Sequence, residues 1–266
     1  MKSLRTFATF WIGVLGLYLL SSGSVFAGGE GPSPVAALTA QTTAFLQKFV
    51  NKDGRVDHEA IQRNSDLLED LLLNIACFDA ANASPADQYA FYLNAYNMLA
   101  IGEIVRDYPL VSVQEVPGFF NRNRFRVGGE ELTLDQVETD KLRRIYDDPR
   151  LHFALVCGTN SCPRLRRSAH VGSQLFEQLN SQAKAALLDP AYIQVDEASK
   201  VVRLPEIFKW YAADFGASGK PGVLYVNQFR KEHRVPTWFA VEYYSYDWSL
   251  NDQHADGVDV ASMRQK

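Results

Sequence analysis

The stretch "ASPADQYAFYLNAYNMLAIGEIVRDYP", Ala83 to Pro109, decides the fold class. Ser84 stands where a helix N-cap belongs, Pro85 fits the first helical position, and Asp87 lies in the first turn. The pattern ends before Pro109. From Tyr89 to Val105 the residues are apolar or aromatic on most sides of a helical wheel. Such a helix is central and buried. Asn94 and Asn97 are three residues apart and share one face. A buried amide must find partners, so these two either tie neighbouring loops to the helix or line a polar pocket.

Working outward, helical spacing recurs at Leu38, Phe45, Leu46 and Phe49, and again from Leu67 to Ile75. "NKDGRVDHEAI" (Asn51–Ile61) resembles a calcium loop. With Gly54 in its sixth position, however, Phe49 and Ala60 occupy the positions that need ligands. A turn on Asp53-Gly54 is the expectation. "RFRVGGEELTL" predicts a hairpin turning at Gly128-Gly129, and "YIQVDEASKVVRL" predicts a second. Thr133 and Gln136 make a capping box. The helix after them carries Val137, Leu142 and Ile145, with Glu138 beside that stripe. "HFALVC" (His152–Cys157) is expected to be a buried strand, followed by a helical region from about Pro163 to Leu188. Leu204 to Phe215 is expected to be a short amphipathic helix, and "WFAVEYY" a strand. The expected fold is α+β: a single helix-rich domain with a small, mainly antiparallel sheet.

The 266 residues are 47% hydrophobic and 22% charged, with a net charge of −4. This fits one globular domain and gives no basic footprint for nucleic acid. Lys2 and Arg5, the apolar run Phe7–Leu20 and the small residues ending "VFA" read as a signal peptide over 1–27. The apolar run is short for a membrane span. The expected organisation is leader 1–27, Gly/Pro linker 28–34, domain 35–251 and flexible tail 252–266. The expected location is periplasmic or secreted, with no stable membrane span after cleavage. Three cysteines cannot all pair within the chain.

The blocks "GRVDH", "AFYLNAYNMLAI", "YPLVSV", "LTLDQVE", "LHFALVCGTNSCPRLR", "IFKWYAADFG" and "YDWSLN" occur in that order. Together they resemble the signature blocks of the family called domain of unknown function 547, over about Phe49 to Asn251. The resemblance brings no settled activity. It implies a set of typical positions: Asn94, Tyr96, Asn97, Glu138, His152, Cys157, Cys162, Pro163, Asp214 and Tyr246-Asp247-Trp248. The chain departs from the pattern at Thr139, where the family usually has histidine, and at His58, where it often has tyrosine.

Cys162 before Pro163 places a thiol at an expected helix N-cap. Such a site lowers a cysteine pKa and offers backbone N–H groups as an oxyanion hole. Papain-like and transglutaminase-like cysteine enzymes use this geometry. Gly158 and Ser161 would let substrate approach. The candidate catalytic residues are Cys162, His152 and Glu138, and the candidate substrate-binding residues are Asn94, Asn97 and Asp247. An extended strand from His152 to Cys157 would span roughly 17–20 Å, which argues against a direct Cys–His dyad and leaves Glu138 as another base. The cysteine and histidine spacing fits no standard zinc motif, and no cofactor is expected. The leading expectation is an exported thiol-dependent hydrolase or acyltransferase on a peptide or amide bond. The alternatives are a binding or scaffold module with a buried polar network, whose ligand is a small molecule or peptide, and a redox role for the cysteine pair.

Overall fold

The computed structural model describes residues 32–216 and 220–254. The expected leader, the first part of the linker and the tail from residue 255 lie outside the described residues. Among the described residues no helix is long and apolar enough to cross a membrane.

Helix α4 (Pro85–Asp107) is the axis of the domain, capped by the Ser84 hydroxyl, which accepts from Asp87 N–H. Nearly every side chain from Tyr89 to Val105 is buried. Helices α2 (His58–Gln62) and α3 (Ser65–Cys77) pack on it, and α1 (Pro34–Phe49) packs on α3. The first hairpin forms as the Gly-Gly turn requires. Strand β1 (Phe125–Val127) pairs antiparallel with β2 (Glu130–Leu132), in the register Phe125 opposite Leu132. The second sheet has β4 (Val201–Pro205) at its centre. It runs antiparallel to β3 (Gln194–Asp196) and parallel to β5 (Ala240–Tyr244). The architecture is α+β.

Three expected elements differ, each for a local reason. His152–Cys157 is not a strand. Pro149–Phe153 forms a 3-10 turn, started by the Asp148 side chain accepting from Arg150 N–H. A short apolar run suits a buried turn as well as a strand, and here Pro149 and Asp148 favour the turn. Residues 163–171 are not helical, and the helix begins only at Leu175. Thr43 and Asn94 accept from the N–H groups of Ala169 and His170, and Gln178 accepts from Val171. Side chains therefore satisfy a backbone that needs no helix. The helix expected over Leu204–Phe215 shortens to Ile207–Trp210, because Leu204 and Pro205 belong to β4.

Two hydrophobic clusters fill the interior. One surrounds α4 and includes Leu151 and Ala154. The other gathers Phe153, Leu187, Val202, Phe208 and Val226. Leu151 and Phe153 thus anchor in different clusters, which fixes the turn carrying His152 between them. Asp252 to His254, assigned from sequence to the tail, are tied down: Asp252 bridges to Val56, and Gln253 N–H donates to Val56 O.

Candidate active site

His152 is 7% exposed and lies on the wall of a cleft of about 330 Å³. Its Nε2–H donates to Asp214 Oδ2 at 2.7 Å. Arg143 grips the same carboxylate with Nε and Nη2 at 2.8 and 2.9 Å. The His152 hydrogen bond and the Arg143 fork hold the Asp214 carboxyl well below the usual carboxylate range, so Asp214 is an anion. With Nε2 committed, Nδ1 is the ring nitrogen left to move a proton. The Tyr211 ring lies 4.2 Å from the imidazole by centroid, and the Arg143 guanidinium lies 4.7 Å over the Tyr211 ring.

Glu138 and Arg143 reach this site from one helical stretch. An α turn (Leu134–Gln136), capped by the expected Thr133–Gln136 box, passes into π-helical turns over Val137–Arg143. Such turns are uncommon and recur at functional sites. Glu138 lines the cleft. Burial pushes its carboxyl up, against the pull of His152, Tyr211 and Arg143.

Cys162 lines the same cleft, and so does Cys157. The loop between them folds back at Gly158, whose φ is +85°. A Cβ there would run into the Ile104 side chain, so the glycine serves the turn and its packing rather than substrate approach. The segment Tyr246–Asn251 pins this loop from outside. Asn160 and Ser161 N–H groups donate to Ser249 O and Asp247 O, and Asn251 N–H donates to Gly158 O. Cys162 does not cap a helix, and its own N–H donates to Thr159 O. Its thiol is tuned by other donors. Cys157 N–H lies 3.2 Å from Cys162 Sγ, Tyr246 Oη 3.2 Å and Cys157 Sγ 2.9 Å. The Thr159 hydroxyl donates to Tyr246 Oη at 2.9 Å, which leaves the tyrosine proton for the sulfur. Burial opposes the Cys162 thiolate, but hydrogen bonds from Cys157, from Tyr246 and from the Thr159 backbone N–H outweigh it and bring the pKa to about 6. The same pairing pushes Cys157 up. Burial and the Cys162 charge keep Tyr246 protonated, hence a donor.

The polar groups against Cys162 Sγ belong to Cys157, Thr159 and Tyr246; His152 is not among them. The two residues meet as walls of one cleft. Much of the remaining lining is aromatic, beside Asn121, Asp135, Leu155 and Ile207. Trp210, Tyr246 and Trp248 form a continuous stack with centroids 4.6–5.8 Å apart, and Phe120 adjoins Trp248. Cys162 also borders a second, more polar groove of about 490 Å³, lined by Asn160, Arg164, Tyr192, Tyr244 and Asp247 among others.

The structure therefore brings Cys162, His152 and Glu138 together and places the other candidates elsewhere. Asn97 clamps the chain between His152 and Cys157: its Nδ2 donates to Ala154 O at 3.0 Å and its Oδ1 accepts from Val156 N–H at 2.8 Å. Asn94 does the same for the His170 backbone. Asp247 lies on the second groove and accepts from Ser249 N–H and Oγ–H. Asp214 and Tyr246 were visible in the sequence only as typical positions of the family, and Arg143 carried no signal at all. Among the described residues no group of three or more His, Cys, Asp or Glu is placed to hold a metal ion.

Residues 80–186 match the model of the family described as "Protein of unknown function, DUF547". The match supports membership of that family. The matched span carries α4, Glu138, His152 and both cleft thiols, whereas Asp214 and Tyr246 lie beyond it. Searches of curated proteins and of solved structures give no match.

Proposed function

We propose that this chain is an exported thiol-dependent hydrolase or acyltransferase acting on a peptide or amide bond. The observation that carries the reading is one cleft walled by Cys162, by His152 held on Asp214, and by Glu138. The leader-like segment Met1–Ala27 supports export. The Cys162 thiolate attacks the carbonyl carbon, forming a C–S bond and placing the carbonyl electrons on oxygen. Collapse of that intermediate expels the amine, which takes its proton from His152. A thioester remains on Cys162, to be resolved by water or by another acceptor with His152 as the base. Asp214 and Arg143 are positioning residues in this scheme. The acyl chain has two surfaces to lie on, the aromatic stack and the polar groove, which meet at Cys162.

The test is a rapid-quench experiment with an activated acyl ester and a peptide amide, followed by digestion and mass analysis. The expected result is an acyl group on Cys162, absent in Cys162→Ala. Turnover should fall about 10²- to 10⁴-fold in His152→Ala, the usual weight of a general acid–base. Label on another residue, or unchanged turnover in His152→Ala, would overturn the reading. In that case the half-buried Asn94 and the buried amides Asn97, Gln178 and Gln182 remain the scaffold of a binding module.

A further inference from the structure

The two cleft thiols carry a second chemistry. Cys157 and Cys162 Sγ lie 2.9 Å apart, against about 2.05 Å in a disulfide, so bonding needs a shift of roughly one ångström. The intervening loop already folds back, through the positive φ of Gly158 and the hydrogen bond from Cys162 N–H to Thr159 O. Tyr246 Oη bridges both sulfurs, at 3.2 Å from Cys162 and 3.6 Å from Cys157. Both side chains line the 330 Å³ cleft, a volume typical of small-molecule sites.

We propose that Cys157 and Cys162 form a dithiol–disulfide couple that exchanges with a small-molecule disulfide of the glutathione type. The Cys162 thiolate attacks one sulfur of that disulfide. A mixed disulfide forms on Cys162 and one thiolate leaves. Cys157 gives its proton to the departing thiolate and attacks Cys162 Sγ, expelling the second thiolate, which takes its proton from solvent. The two cysteines are oxidised by two electrons, and the incoming disulfide is reduced to two thiols. The donors that favour charge on Cys162 rather than Cys157 set the order of these steps. Oxidation also removes the nucleophile, a consequence for activity that rests on the acyl-transfer reading above.

The experiment equilibrates the full chain carrying Cys77→Ser with reduced and oxidised glutathione at varied ratios. Acid quenching, alkylation and tryptic digestion follow. Cys77 is exposed and would otherwise react on its own. Both cleft cysteines fall in the tryptic peptide 151–164. The expected product is that peptide lighter by two hydrogens, in a fraction that follows the glutathione ratio. Cys157→Ser should instead stop at a glutathione adduct on Cys162. The proposal fails if the peptide keeps two alkylatable thiols at every ratio, or if wild type accumulates the same lasting adduct as Cys157→Ser. The readout is thiol state alone, so it fails separately from acyl transfer, which the His152→Ala turnover tests.

Discussion

Asn97→Leu tests whether the site is held by the central helix. Asn97 is 3% exposed, and both ends of its amide bind buried backbone, Ala154 O and Val156 N–H. Leucine matches the amide in size but offers neither partner. Each buried group left unpaired costs about 1–3 kcal/mol, so the substitution should cost about 2–6 kcal/mol. That is a large part of an ordinary domain's 5–15 kcal/mol. Asn94→Ala breaks an equivalent pair of bonds to His170, but Asn94 is only half-buried and water can replace part of the loss, so its cost should be smaller. Urea titrations followed by tryptophan fluorescence measure both, through the midpoint at an unchanged slope. A loss within about 0.5 kcal/mol for Asn97→Leu, the range of surface substitutions, would refute the clamp. So would equal losses at the two positions.

Iodoacetamide labelling of Cys162 across pH should report an apparent pKa near 6, and Tyr246→Phe should raise it by removing a donor; a midpoint at or above the ordinary thiol value of about 8.5 in wild type contradicts the network. Cys157→Ser keeps a hydroxyl to donate to Cys162 and should hold that pKa low, whereas Cys157→Ala should raise it; equal values would show that the Cys157 side chain gives Cys162 no hydrogen bond beyond that of its backbone N–H. Asp214→Asn should destabilise at neutral pH. Because the folded carboxyl is depressed, its stabilising effect is full above the unfolded carboxylate pKa of about 3.9 and is lost as pH falls through and below it. Denaturation curves should therefore show the gap between wild type and Asp214→Asn narrowing below about pH 4. Gly158→Ala should be strongly destabilising or insoluble on thermal melting, since it meets both a positive φ and the Ile104 side chain.

Local chemistry made much of the fold legible. Ser84-Pro85 and Pro109 bracket α4, the glycine pair turns the first hairpin, and Thr133 with Gln136 caps the helix after it. All of these signals act within a few residues. The stretch from Pro149 to Gly172 was misread because its backbone is satisfied from afar. Asn97 lies 57 and 59 positions from its partners, and Asn94 lies 76 from His170. No periodicity can show such bonds, so an apolar run looked like a strand and a polar one like a helix.

The same misreading had a chemical consequence. Treating His152–Cys157 as extended set the histidine far from Cys162 and weakened the case for their cooperation. The 3-10 turn shortens that path, and the back-folded Gly158 loop returns the thiol to the cleft that holds the imidazole. The helix-dipole argument for a lowered Cys162 pKa failed, and hydrogen bonds lower it instead. Three hydrogen-bond partners replace the helix, and two of them, Thr159 and Cys157, belong to the thiol's own loop. The activation therefore depends on how that loop is folded, and Tyr246–Asn251 folds it by pinning it from outside. On this reasoning "YDWSLN" belongs to the site as a restraint on the loop that carries Cys162 and as the source of one proton donor, while Asp247 lines the neighbouring groove.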